Sequence, residues 1–241
     1  MSIRIKERLT LTLLITLMSS LFWSCSEDPS EEKESCTDVS KYVFEEQDGL
    51  VVIEIENTEI GEGWVKKTDV AGFTGTSYLQ WEGGNQNNSP GKGLMKFNVN
   101  ITTPGTYRFQ WRSRINEGDS PSESNDAWLR LADATDFYGL KNESIVYPKD
   151  TGKTPNPKGS SKEGWFKVYQ NKLGEWDWKA KTSDHDAHDI FATFEKAGRY
   201  TIEISGRSNG FAIDRIVLYL DTVESSVATD TDQAASSVFC Q

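Results

Sequence analysis

The chain has 241 residues and a formal net charge of −11, with 37 acidic against 26 basic side chains. A protein this negative is poorly matched to a phosphate backbone or to anionic headgroups, which sets nucleic acid and a charged membrane surface aside as partners. Cysteine is sparse: Cys25, Cys36 and Cys240.

In chain order, Arg4, Lys6 and Arg8 form a basic start, and residues 9–23 are largely apolar and uncharged. That stretch is short for a bilayer span and reads as an export signal. It ends in Leu21-Phe22-Trp23-Ser24-Cys25, and a small residue followed by Cys resembles a bacterial lipobox with Cys25 as the acylated mature N-terminus. Phe22 and Trp23 are bulkier than the strict pattern and resemble the looser Bacteroidetes-type version. An ordinary cleaved signal with an incidental Cys is the alternative. Two or three acyl chains, each methylene worth about 0.8 kcal/mol, would anchor the protein at the outer membrane or cell surface. Residues 1–24 are thus expected to be a signal peptide. Residues 25–41 follow as an acidic, flexible tether, since a run such as Glu31-Glu32-Lys33-Glu34 cannot bury enough surface to fold. Loss of residues 1–24 leaves 23 basic against 36 acidic side chains, a net charge of −13. Cys36 and Cys240 then flank the folded region, and both a disulfide and two lone thiols are open readings. Residues 221–241 read as a polar tail, disordered unless tied down.

Residues 42–220 carry one domain's worth of chain, with no helix-length amphipathic pattern. Period-2 alternation recurs instead, in residues 51–56, 94–101, 106–115, 127–131, 190–194, 200–205 and 211–220, punctuated by turns such as Thr103-Pro104-Gly105. In 106–115, Tyr107, Phe109, Trp111 and Ile115 share one face, and Arg108, Gln110, Arg112 and Arg114 share the other. This spacing predicts an all-β fold, an antiparallel β-sandwich or jelly roll. Residues 85–93 and 133–189 fit no strand, and loops of that length are usually functional or mobile.

Enzyme signatures are scarce. There is no Gly-x-Ser-x-Gly, phosphate loop or His-Glu-x-x-His pattern. The two histidines fall in Asp184-His185-Asp186-Ala187-His188-Asp189, which reads more readily as a solvated acidic loop than as a metal site.

Three stretches carry a family resemblance. Val52-Ile53-Glu54-Ile55-Glu56, together with Gly198-Arg199-Tyr200-Thr201-Ile202-Glu203-Ile204 and Gly210-Phe211-Ala212-Ile213-Asp214-Arg215-Ile216, resembles the first and last strands of galactose-binding-like jelly rolls. The nearest types are carbohydrate-binding modules of families 6 and 35 and the binding domains attached to agarases. The resemblance implies a non-catalytic polysaccharide binder that works by stacking aromatic rings on sugars, with polar and Arg side chains fixing their orientation. It implies a structural Ca²⁺ held by Glu54, Glu56 and Asp214, in keeping with that ion's preference for several oxygen ligands. It also implies a sugar site with Tyr78 and Trp176 as stacking rings and Trp178 turned to the core. The family's Asn two residues before the closing Asp is Ala212 here, and Asn209 stands in for it.

The residues themselves suggest a second locus. Arg112 and Arg114, with Asn125, Asp126 and Arg130 on a neighbouring strand, would suit an acidic polysaccharide, because guanidinium recognises carboxylate and sulfate with several donors. An ordinary exposed strand face is the alternative. Other classes stay open: a jelly-roll lyase or hydrolase, for which a pocket holding Tyr138, Arg112 and His185 would speak, or a protein-binding adhesin. Surface proteins of glycan uptake are candidate partners.

Overall fold

The computed structural model describes residues 36–157 and 160–241. Cys25, the signal and most of the tether lie outside the described residues. Among the described residues, fifteen strands follow in chain order: β1 (Tyr42–Glu45), β2 (Leu50–Glu54), β3 (Trp64–Lys67), β4 (Tyr78–Trp81), β5 (Met95–Ile101), β6 (Gly105–Ile115), β7 (Asp126–Arg130), β8 (Asp136–Lys141), β9 (Ser144–Val146), β10 (Ser161–Lys162), β11 (Trp165–Tyr169), β12 (Asp189–Phe194), β13 (Gly198–Ser205), β14 (Phe211–Leu220) and β15 (Val238–Cys240). One short helix, α1 (Ser225–Ala228), precedes β15.

They build two sheets. The first runs β10-β11-β7-β13-β5-β1-β15, and the second β3-β4-β14-β6-β12-β8-β9, with β2 also on β14. The β1–β5 pair is parallel; the other pairs are antiparallel. The fold is therefore the expected β-sandwich. Alternation explains it. Phe97 and Val99, Ile202 and Ile204, Phe109 and Trp111, and Ile216 and Leu218 all turn inward into one core. Burying each such side chain is worth roughly 1.5–3 kcal/mol.

The central pair, β14 on β6, shifts register between Ile213 and Arg215. A bulge adds one residue to one strand and resets its alternation. Ile213 and Ile216 both reach the core, so Asp214 and Arg215 are left together on the opposite side. At the sandwich end, a Cβ on Gly206 would come 2.1 Å from the Trp81 indole. Only glycine fits there, and its absent side chain lets the loop carrying Arg207 and Ser208 sit directly on the core.

The structure differs from the sequence reading in two places. Residues 133–189 hold β8 to β11. These strands are short, and Gly and Pro between them hide the period; within β11, Phe166 and Val168 are nonetheless core residues. The C-terminal segment is part of the fold: a disulfide joins Cys36 to Cys240, with Cα atoms 5.2 Å apart. Arg215 donates to the carbonyls of Thr231 and Gln233, and the Ser236 amide to that of Val52.

Candidate functional site

Three groups of side chains concern function. The first lies on the outer face of the second sheet, where β4, β14 and β6 run side by side. Tyr78 has no exposed surface. Its hydroxyl donates to Asp69 Oδ1 at 2.6 Å, and its ring meets Trp176 edge-on, centroids 5.2 Å apart. A sugar therefore cannot stack on Tyr78, contrary to expectation, because Trp176 and Phe73 already pack against it. Burial, followed by the bond to Asp69, pushes its phenol pKa well up. Trp176 is half-buried. Its Nε1 donates to the Ala71 carbonyl at 3.1 Å, and the Arg112 guanidinium lies 5.4 Å from its ring. Trp178 does not enter the main core. It packs half-buried on Leu50, Val52, Val217 and Tyr219. The reason is elementary: in extended chain, residues two apart point the same way, so both indoles lie over the outside of this sheet.

The arginine row does occupy one face, but mostly in pairs. Arg108 meets Asp189 at 2.6 Å and Arg112 meets Asp214 at 2.5 Å. Arg114 has no ion pair among the described residues, and its Nε is buried without a hydrogen bond. Asn125, Asp126 and Arg130 are not beside this row, since β7 belongs to the other sheet. Arg130 there pairs with Glu203 at 2.6 Å. Asn209 acts as a loop clip rather than a free sugar contact: its Oδ1 accepts from the Gly84 amide at 3.1 Å, and its Nδ2 donates to Glu117 at 2.8 Å.

The second group is the expected calcium set. Glu54, Glu56 and Asp214 are all buried near the turn at Thr74-Gly75-Thr76. Glu54 Oε1, however, accepts from Arg215 Nη2 at 2.6 Å and Nε at 2.9 Å. Asp214 carries Arg112 and the Thr74 amide. Glu56 Oε1 takes the Thr76 amide and hydroxyl, while Glu56 Oε2 is buried without a partner. Calcium takes 6–8 oxygens. Here guanidinium groups already hold two of the three carboxylates, and among the described residues no three His, Cys, Asp or Glu form a metal-binding group. These side chains do not fit a calcium cage as they stand; they fit a two-arginine clamp.

The third group was anticipated only in pieces, by Asn125, Asp126 and His185 and by the strandless residues 85–93 and 133–189. Loops near residues 85–87, 121–125, 171, 184–185 and 207–208, with the end of β11, enclose an open cleft of about 720 Å³. Its wall is polar: the amides of Asn85, Asn87, Asn125 and Asn171 stand among charged and hydroxyl side chains. Asn125 is fixed from behind, donating to the carbonyls of Gln170 at 2.9 Å and Pro121 at 3.3 Å. Asp126, 3% exposed, accepts from both Arg207 and Ser208. The half-buried Tyr169 ring lies 5.5 Å from Lys167 Nζ, and Lys167 pairs with Asp184. Burial and the nearby Asp184 and Asp186 raise the Tyr169 pKa, so its hydroxyl stays a donor. His185 lines the cleft, while His188 is buried and meets Ser144 Oγ at 3.0 Å. Arg112 and Tyr138 lie elsewhere; Tyr138 stacks on Phe191 at 5.8 Å. The Tyr138–Arg112–His185 pocket of a lyase is therefore not assembled. Sequence reasoning missed the cleft because its wall comes from segments far apart in the chain. The strandless residues 85–93 and 133–189 were the available signal, without the pairing of one with the other.

No protein-family model matches the chain, and no curated protein does. Among solved structures, the chain is similar to a GH26–CBM35 β-(1,4)-mannanase of Podospora anserina, at 17% identity and a TM-score of 0.40 over 74% of this chain and 29% of that one. It is similar to a family 35 carbohydrate-binding module of Clostridium thermocellum, at 16% identity and a TM-score of 0.41 over 71% and 98% of the two chains. It is also similar to the C-terminal family 6 module of a Zobellia galactanivorans laminarinase, at 13% identity and a TM-score of 0.39 over 70% and 98%.

Proposed function

We propose that this chain binds a polysaccharide in the loop-end cleft without cutting it, held at the bacterial cell surface by acyl chains on Cys25. The cleft carries the reading. Its volume suits a few sugar rings, yet its wall is amide, hydroxyl and paired charge rather than the apolar lining of most small-molecule pockets. A planar amide such as that of Asn87 presents donor and acceptor together to vicinal hydroxyls, while Asn125, whose Nδ2 is spent on the Pro121 and Gln170 carbonyls, offers only its Oδ1 as an acceptor. Tyr169 supplies a ring face for the C–H side of a sugar.

A second reading keeps Trp176 as the stacking ring. Its indole is only half covered, and Arg114, whose Nη2 would lie 3.7 Å from a Cβ on the nearby Gly174, has no ion pair among the described residues.

Titration calorimetry with galactomannan, glucuronoxylan and agarose oligosaccharides separates the two. Asn87→Ala with Asn171→Ala should weaken binding about five- to thirtyfold, the cost of one or two lost hydrogen bonds at about 1 kcal/mol each. Trp176→Ala should leave it near wild type; the reverse pattern moves the site to Trp176. Accumulation of new reducing ends would overturn the non-catalytic reading. For the anchor, Cys25→Ala should shift the protein out of the membrane fraction; unchanged fractionation without an acyl mass would overturn it.

A further inference from the structure

The cleft does not end at Arg207. A second hollow of about 500 Å³ adjoins it, and the two share Asn87 and Arg207 as common wall. The charge changes across that wall. The first hollow holds Lys167 and Arg207 against Glu123, Asp126 and Asp184. The second holds Lys149, Lys162 and Arg207 against Asp150 alone. In a chain of net charge −11, such a local excess of cations does not follow from composition.

Each cation is set differently. Arg207 is held in place: its guanidinium lies 5.0 Å from the Trp128 ring, one nitrogen pairs with the buried Asp126, and its Nε is buried with no partner among the described residues. Trp128 is itself fixed, donating from Nε1 to the Gln86 carbonyl at 3.0 Å. Lys162 reaches across to the Asn88 carbonyl and lies 3.4 Å from the exposed Glu163 carboxylate, which is outside the hollow's wall, so its charge is partly offset there. The Lys149 ammonium has no hydrogen bond or ion pair among the described residues, while Asp150 accepts from the Glu163 amide at 3.2 Å. A guanidinium stacked on an aromatic ring keeps its remaining edge free for an anion and loses little side-chain entropy on binding.

We infer that the second hollow is an anion-recognising extension of the glycan cleft, so that the ligand is an internal stretch of a polymer carrying carboxylate or sulfate groups. This rests on the carbohydrate-binding reading of the first hollow. A neutral residue sits among the asparagines, and a neighbouring acidic one places its anion between Arg207, Lys149 and Lys162. Sugar carboxylate and sugar sulfate share this chemistry, and matched probes tell them apart.

The test compares polymers of the same backbone with and without charge: glucuronoxylan against its carboxyl-reduced form, polygalacturonate against its fully methyl-esterified form, and carrageenan against its desulfated form. The wild-type chain should bind at least one charged member tenfold or more tighter than its neutral twin, with the gap narrowing as salt rises. Lys149→Gln with Lys162→Gln should erase the gap and leave affinity for the neutral twin unchanged, with an unaltered melting curve as control for folding. Equal affinity for both members of every pair overturns the inference and leaves the carbohydrate reading standing. So does a gap that survives in the double variant. Binding to no polymer at all overturns both.

Discussion

The Tyr78 ring meets the Trp176 indole edge-on, with centroids 5.2 Å apart and planes inclined at 72°. Two residues nearly a hundred positions apart thus support one another, and a strap beyond β11 is held down over the turn near Gly72. A Cβ at Gly72 would lie 3.5 Å from Trp176 Cδ1, so that turn is in direct contact with the indole.

It follows that changes at the two positions should act on stability. Tyr78→Ala removes a fully buried aromatic and should cost about 3–5 kcal/mol. Trp176→Ala removes a half-covered ring and should cost less, about 1–2 kcal/mol. It should also make residues 68–74 more sensitive to proteolysis. Urea titrations and limited digestion check both. A Trp176→Ala chain as stable and protease-resistant as wild type would show that the indole is no support.

The carboxylate–arginine clamp gives a second expectation. Glu54 and Arg215 are both nearly inaccessible, and their partners bridge β2 and β14. Breaking a buried pair from one side strands a charge, at about 3–5 kcal/mol. Arg215→Met should therefore lower the denaturation midpoint sharply. It should also loosen the C-terminal segment, whose carbonyls at Thr231 and Gln233 lose their donors. Because guanidinium groups neutralise Glu54 and Asp214, the wild-type melting temperature should be the same in chelator and in millimolar calcium. A rise with calcium that Glu56→Gln abolishes would instead place the ion at the unpartnered Glu56 Oε2.

Much of this architecture was legible beforehand, and the reasons are specific. Strand β5 and most of β6 alternate because one face lies on the core and the other is more open, so period 2 survives in the sequence. Even the bulge leaves a trace, since Ile213 and Ile216 break the alternation by one residue. Strands β8 and β9 left none: they lie at a sheet edge, and most of their residues are only partly buried. The carboxylates near Thr74 were also legible, but not their partners, because Arg112 and Arg215 meet them through register and bulge. The cleft was least legible. Asn87, Asn125 and Asn171 come together only once three loops converge, and no local pattern encodes that.

Acid should reveal Glu46. Burial would raise its pKa, but the Thr102 hydroxyl and the amides of Gly49, Thr103 and Thr102 donate to it and together lower it below 4.5. A depressed carboxyl pKa gives stability that is present above the unfolded value and lost as pH falls through the folded one. Asp214 works the other way. Burial, only partly offset by Arg112, pushes it up to about 6, so its contribution is greatest below 3.8 and is lost as pH rises through about 6. Glu46→Gln should flatten the loss of stability below pH 4.5 and leave the pH 4–6 limb in place. Urea midpoints between pH 2.5 and 7 measure both limbs, and an unchanged acid limb in Glu46→Gln would remove Glu46 as its source.

The Cys36–Cys240 bridge closes a loop of 204 residues, and it does so at the far edge of the first sheet. There β15 pairs with β1 through Tyr42 and Cys240, Val43 and Phe239, and Phe44 and Val238. On the chain-entropy model a loop of this size is worth about 5 kcal/mol, an upper figure because real unfolded chains retain structure. Cys36→Ser with Cys240→Ser should lower the melting temperature by several degrees, and β15 amides should exchange with solvent far sooner than those of β13 or β14. Glycan affinity should stay within twofold of wild type. The cleft is walled by loops at the sandwich end and by β11, which in the sheet order is separated from β15 by β7, β13, β5 and β1. Loss of binding together with the bridge would show that the termini, and not the loops alone, hold the cleft in shape.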